Sequence, residues 1–183
     1  MFSRSQVIKE FIVVIAIAFL VVARPAVSHA STWKQFKPAT SPTSRSYPAM
    51  AYDPVSKKIV LFGGFDGRVD LNDTWTFDGT TWIQVQTTVA PPARNATTMA
   101  YDKHAKKLVL FGGFNGVTQK FLQDTWVWDG ATSKWSQVKM KTSPPGASGS
   151  MLFTDPHDGH AMIFGGFNAT HSRHPQIHQD QIG

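Results

Sequence analysis

The chain has no cysteine. Disulfide staples, thiolate zinc sites and cysteine nucleophiles are therefore excluded. Glutamate is almost missing too: of the 12 acidic residues only Glu10 is not an aspartate. Glutamate favours helices and is sparse in strands, so its absence from residue 11 onward points to an all-β chain. A long hydrophobic run is also wanting. The apolar stretch Phe11–Ala23 has thirteen residues, short of the roughly twenty that cross a bilayer. The formal net charge of +6 is scattered through turns with no basic cluster. It reads as solvation, with no nucleic-acid partner expected.

What is present is a repeat. Met50-Ala-Tyr-Asp53, Lys57-Lys-Ile-Val-Leu-Phe-Gly-Gly-Phe65, Asn72-Asp-Thr-Trp-Thr-Phe-Asp-Gly79 and Trp82 form one copy. Met99-Ala-Tyr-Asp102, Lys106-Lys-Leu-Val-Leu-Phe-Gly-Gly-Phe114, Gln123-Asp-Thr-Trp-Val-Trp-Asp-Gly130 and Trp135 form a second. Met151–Asp155 and Ala161-Met-Ile-Phe-Gly-Gly-Phe167 begin a third. Tyr52 to Tyr101 and Gly63 to Gly112 are each 49 residues apart, Trp75 to Trp126 is 51 and Trp82 to Trp135 is 53. Length therefore changes after the Gly-Gly pairs and between the tryptophans, which marks those segments as surface loops. A period near fifty means one supersecondary unit used repeatedly.

In the second copy, Ala96–Tyr101, Lys107–Phe111, Thr125–Trp128 and Lys134–Val138 read as four short strands. Polar turns and the Gly112-Gly113 pair separate them. Each sheet has apolar residues on both faces, and radial stacking buries both. The paired glycines Gly63-Gly64, Gly112-Gly113 and Gly165-Gly166 allow positive φ and close approach of neighbouring backbone. Trp75 and Trp82, and Trp126 and Trp135, are expected between blades, each ring burying on the order of 150–250 Å².

The ordered, duplicated pattern of apolar strand, Gly-Gly, Asp-Thr-Trp strand and following Trp resembles the kelch repeat. The resemblance covers about 41–180. It implies a β-propeller of four-stranded antiparallel blades, most often a binding scaffold. Some members are enzymes, including galactose-oxidase-like copper oxidases and sialic-acid mutarotases. The fold expected here is a kelch-type β-propeller fragment. Blades fall near 41–90 and 91–143, with a partial blade at 144–183. Trp33-Lys-Gln-Phe36 echoes Trp82-Ile-Gln-Val85 and so reads as an orphan outer strand within 31–40.

Both ends carry expectations of their own. Arg4 and Lys9 precede the apolar run, and Ser28-His-Ala30 places small residues before Ser31. That is the layout of a signal peptide over 1–30, implying a secreted or periplasmic protein with no stable membrane anchor after cleavage. Removing Arg4, Lys9, Arg24 and Glu10 with it takes the net charge from +6 to +4. At the other end the third copy lacks the arginine found at 45 and 94, and no tryptophan follows Gln179-Asp180. A truncated product, an open fragment that assembles with other copies and a small closed ring are the three readings, with truncation favoured. As an open array, the strand Ala161–Phe164 is expected to expose an edge and an apolar face, and self-association follows.

Catalysis is not expected, and no cofactor or metal is called for. A cysteine-linked tyrosine copper site cannot form without cysteine. Asp53, Asp102 and Asp155 recur at equivalent turns, as do Asp73, Asp124 and Asp180. Recurrence suits structure better than a unique catalytic role. His157, His160, His171, His174 and His178 crowd the C-terminal part but sit in polar loops. Function is placed instead on the loops that differ between copies, with Asp66, Arg68, Asn115, Lys120 and Arg173 as binding candidates. The chain is thus read as a binding module for a protein or glycan, the alternative being a remnant of a sugar-acting propeller enzyme. Asn72, Asn95 and Asn168 each open an Asn-x-Thr triplet whose glycosylation is left open.

Overall fold

The computed structural model of the protein describes residues 35–167 and 177–178, the last two by backbone alone. The expected leader, Trp33, Asn168, His171, Arg173, His174 and the Gln179-Asp180 pair lie outside the described residues. The chain divides into two compact units, Met1–Phe36 and Lys37–Gly183. The second holds all the described strands, and no helix occurs among the described residues.

The first sheet joins β1 (Ala49–Asp53), β2 (Lys58–Phe65), β3 (Asp70–Phe77) and β4 (Trp82–Val85) in that order. The second joins β5 (Thr98–Asp102), β6 (Lys107–Phe111), β9 (Thr125–Asp129) and β10 (Lys134–Val138). Between β6 and β9 lies a two-stranded hairpin, β7 (Phe114–Asn115) with β8 (Lys120–Phe121). The sequence alone predicts a loop here. It is paired because the two residues added there lengthen a hairpin that β2 and β3 already form at Gly64↔Leu71 and Phe65↔Asp70. The third sheet holds β11 (Met151–Thr154), β12 (Ala161–Phe164) and β13 (Ile177–His178). Every strand pair is antiparallel.

Register decides which residues share a face. In the first sheet Tyr52, Ile59, Phe77 and Trp82 form one row, and Met50, Leu61, Trp75 and Gln84 the next on the same face. In the second sheet the matching rows are Tyr101, Leu108, Trp128, Trp135 and Met99, Leu110, Trp126, Gln137. This tryptophan-rich face packs onto the opposite, small-residue face of the first sheet at Ala49, Val60 and Phe62. The second sheet's own small-residue face, with Val109 and Val127, packs onto Ala161 and Leu152 of the third. Trp126 and Trp135 are accordingly buried, whereas Trp75 and Trp82 are half-buried on a face that no other described sheet covers.

The Gly-Gly pairs clasp one sheet to the next. The N–H of Gly64 donates to the carbonyl of Arg94, and the N–H of Arg94 donates to Leu71. One repeat later, Gly113 donates to Ala147 and Ala147 to Leu122. A Cβ on Gly63 would lie 2.7 Å from the Arg94 oxygen, and one on Gly112 would lie 2.5 Å from the Ala147 oxygen. The φ angles of 63° and 66° add a second reason for glycine. Gly165 has the same backbone conformation, φ 72°, but nothing described lies within 4 Å of its would-be Cβ.

One expectation about the third copy is corrected. The edge of Ala161–Phe164 was expected to be bare. β13 pairs with it at Ile163↔His178 and Phe164↔Ile177, so the third unit has three strands and that edge is covered at two positions. The apolar face beside it does remain exposed, with Met151 at 66%, Phe153 at 37% and Phe164 at 45%.

Candidate functional site

The segments that lead into the first strand of each sheet run along the line of sheet contacts. Tyr47, Ala96 and Gly149 are equivalent positions, with φ of 55°, 49° and 67°. Their conformation follows from a ladder between sheets: the Ala96 N–H donates to the Tyr47 carbonyl at 3.0 Å, and the Gly149 N–H donates to Ala96 at 2.8 Å. Left-handed backbone is uncommon for any residue with a Cβ and least expected for a bulky one. Tyr47 nonetheless occupies it, and the residue is 69% exposed.

Tyr47 borders a cleft of about 360 Å³ between the tips of the first two sheets. Phe65 and Phe114, equivalent residues just after the Gly-Gly pairs, line it with Val69 and Val117. Arg68 supplies a cation at the rim and is exposed. Asp70 ties the floor together. Its Oδ1 accepts from Asn95 Nδ2 at 2.6 Å, and its Oδ2 accepts from the Gly116 N–H at 2.6 Å. One aspartate of the first sheet therefore holds both the lead-in segment and the hairpin tip of the second. The cleft is an aromatic concavity with one hydrogen-bonded carboxylate and one exposed positive side chain at its edge.

The residues singled out from the sequence distribute unevenly around it. Arg68 lines the cleft. Asp66 is exposed and accepts from the amides of Arg68 and Val69, each at 2.8 Å. Those amides, Val69 first, hold its carboxyl below the usual value. It caps the turn that presents Arg68. Asn115 is nearly buried and clips the β7–β8 hairpin. Its Nδ2 donates to the Ala93 carbonyl, and its Oδ1 accepts from Thr118. Lys120 is exposed on β8 and does not line the cleft. Arg173 lies outside the described residues. Tyr47, Asp70 and Asn95 were not singled out for binding. Tyr47 had a legible signal, a bulky aromatic where the other copies carry Ala96 and Gly149. The Asp70–Asn95 bond is tertiary and had none. Because Asn95 Nδ2 is engaged with Asp70, an N-linked glycan there would break that bond.

The repeated acids serve the framework. Asp53, Asp102 and Asp155 accept backbone amides two residues ahead, at Val55, His104 and His157. Asp73 and Asp124 each receive an arginine, Arg45 and Arg94, and the indole N–H of Trp75 and Trp126. His160 stacks on His104 with ring centroids 4.2 Å apart, and its Nδ1 lies 3.4 Å from Asp102. Among the described residues no group of three or more histidines and acids is arranged to hold a metal ion.

The family model of the KLHDC2/KLHL20/DRC7 kelch-repeats domain matches residues 26–180. The match spans well over half of the chain, and the chain belongs to the kelch-repeat family. A search of curated proteins returns no match. Kelch repeats generally mediate protein interaction.

Proposed function

We propose that this kelch-repeat chain is a non-catalytic protein-binding module, and that the cleft between the first two sheets receives a peptide segment of its partner. The observation that carries this reading is Tyr47. The residue is exposed in a backbone conformation that disfavours it, at a position where the repeat elsewhere has Ala96 and Gly149. Strain kept at an exposed aromatic is a reason to look for a ligand. Phe65, Phe114 and Val117 offer apolar contact, and Arg68 favours an acidic or carboxylate-bearing segment. Asp66 contributes by shaping the turn that presents Arg68, and Asn115 and Lys120 by holding the hairpin on the other side.

A glycan is the weaker occupant. Aromatic rings suit sugar stacking, but the polar groups of the floor, Asp70 and Asn95, already bond to each other. The reading includes export of the chain after cleavage before Ser31, supported by the charged start, the apolar run and Ser28-His-Ala30. Secreted material whose first residue is Ser31 is the expected result of N-terminal sequencing. The binding reading is tested by selecting displayed peptides on the full chain. Enriched peptides are expected to lose binding to Tyr47→Ala and Arg68→Glu. Peptides indifferent to both substitutions would contradict the cleft, and turnover of galactose or sialic acid would contradict the non-catalytic reading.

A further inference from the structure

The chain contains one Asn-Gly dipeptide, Asn115-Gly116, and it sits at the tip of the β7–β8 hairpin against Asp70 of the first sheet. In such a pair the glycine nitrogen, unshielded by a side chain, can attack the asparagine side-chain amide. Both residues are nevertheless required here. A Cβ on Gly116 would lie 3.2 Å from Asp70 Oδ2, tight against the oxygen that accepts the Gly116 N–H at 2.6 Å. Asn115 must donate as well as accept. Its Nδ2 donates to the Ala93 carbonyl at 2.7 Å, and its Oδ1 accepts from Thr118 N–H at 2.8 Å and Oγ1 at 3.1 Å. The equivalent pair of the first copy is Asp66-Gly67, whose exposed carboxylate accepts the Arg68 and Val69 amides. An ionised aspartate at 115 would have no proton to give to Ala93.

We propose that Asn115-Gly116 is a self-modification site held in check by Asp70, and that its conversion to aspartate or isoaspartate unfastens the hairpin from Ala93 and Asp70. The reaction needs only water. The Gly116 nitrogen bonds to Cγ of Asn115 as the Cγ–Nδ2 bond breaks, and ammonia leaves with the Gly116 amide proton. Water then opens the imide ring at either carbonyl. The Gly116 or side-chain bond that results is an ordinary amide, and the new carboxyl group releases its proton to solvent.

The closed junction opposes the first step. Asp70 Oδ2 holds the proton that must leave, and its negative charge disfavours charge on the attacking nitrogen. The Ala93 carbonyl holds the amide nitrogen that must depart. Asn115 is only 9% exposed, which limits access of a solvent base. The reaction therefore waits on local opening of the junction. Once it has occurred, reclosing would set a carboxylate against the Ala93 carbonyl, two acceptors with no proton between them. The change is one-way and adds negative charge beside the cleft. It does not rest on the peptide reading, since neither its chemistry nor its readout involves a ligand.

The test is mass spectrometry of the full chain incubated at mildly alkaline pH, folded and in urea. Trypsin releases peptide 108–120, in which Asn115 is the only asparagine. The exchange of an amide for an acid is read there and located by fragmentation. Folded wild type is expected to convert at least about tenfold more slowly than the unfolded chain. Folded Asp70→Ala should convert about tenfold faster than folded wild type, the factor that losing one charged hydrogen bond from the closed state implies. Should that variant change the far-ultraviolet spectrum, Asp70→Asn, which keeps the shape and removes the charge, replaces it. Asn115→Asp, which imitates one product, should speed amide exchange at Gly116. Wild type that converts as fast folded as unfolded overturns the proposal. So does an Asp70 variant no faster than wild type, and a slower one would make the carboxylate the base of the reaction instead of its check. Unchanged exchange at Gly116 in Asn115→Asp overturns the unfastening.

Discussion

Arg94 meets Asp124 through two bonds, Nη1 to Oδ1 at 2.7 Å and Nη2 to Oδ2 at 2.8 Å, with the arginine side chain wholly buried. The same guanidinium donates to the Gly112 carbonyl, and the Arg94 backbone clasps Gly64 and Leu71 of the preceding sheet. One residue thus joins two sheets, by its main chain on one side and its side chain on the other. Removing the side chain strands a carboxylate and a carbonyl. Arg94→Met is expected to cost about 3–5 kcal/mol in chemical unfolding. A loss below about 1 kcal/mol would mean that the pair is solvated.

The same pairs set the acid response. Burial pushes the carboxyls of Asp73 and Asp124 up, but the arginine and indole bonds outweigh it and leave both below 3.8. A folded value below the unfolded one contributes stability that is complete above the unfolded pKa and is lost as pH falls through the folded one. Stability should therefore be flat above about pH 5 and decline on acidification below about pH 4. Asp124→Asn should make that decline shallower. An unchanged slope in the variant would remove Asp124 from the account.

Much of this framework was legible in the sequence, because the repeat prints each structural rule twice. Gly-Gly, Asp-Thr-Trp and the spaced tryptophans gave strand order, blade packing and the structural standing of the acids. Recurrence is informative about what every blade needs. The cleft is not such a need. It depends on Asp70 reaching Asn95 and Gly116, 25 and 46 residues away, and on the φ of Tyr47. A single copy of a tertiary contact leaves no periodic trace. The bare edge expected at Ala161–Phe164 failed for a related reason: Ile177 and His178 carry no repeat signature, yet their backbone pairs with it.

Gly130 and Asp53 give a purely steric test across the first two sheets. A Cβ built on Gly130 would fall inside the Asp53 carboxylate, which is itself fully buried and fixed by Val55 and Ser56. The backbone of Gly130 has ordinary φ, so conformation is not the obstacle. Gly130→Ala should destabilise by about 1–3 kcal/mol through overpacking. In the background of Asp53→Ala the same change should cost clearly less, as contacting residues do not add. Equal costs in both backgrounds would place the strain elsewhere.

Trp135 Nε1 donates to Thr74 Oγ1 at 2.9 Å, a buried bond between sheets, whereas Trp128 Nε1 is buried with no hydrogen-bond partner among the described residues. A double-mutant cycle of Trp135→Phe with Thr74→Val should return a coupling of about 0.5–1.5 kcal/mol. A cycle of Trp128→Phe with Thr74→Val should return a value near zero.

Tyr47 ties stability to binding with opposite signs. Tyr47→Gly relieves left-handed strain and should raise unfolding stability by about 1 kcal/mol, although peptide binding at the cleft is lost. A variant that is less stable than wild type would mean that the ring packs for the fold.

The central claim is that the sheets are clasped through the Gly-Gly backbone, and amide hydrogen exchange tests it most directly. The N–H groups of Gly64 and Gly113, bonded to Arg94 and Ala147 of the next repeat, should exchange in the slowest class and open only with global unfolding. If both exchange as fast as amides at the hairpin tip around Gly67, the sheets are not clasped there and the account is wrong.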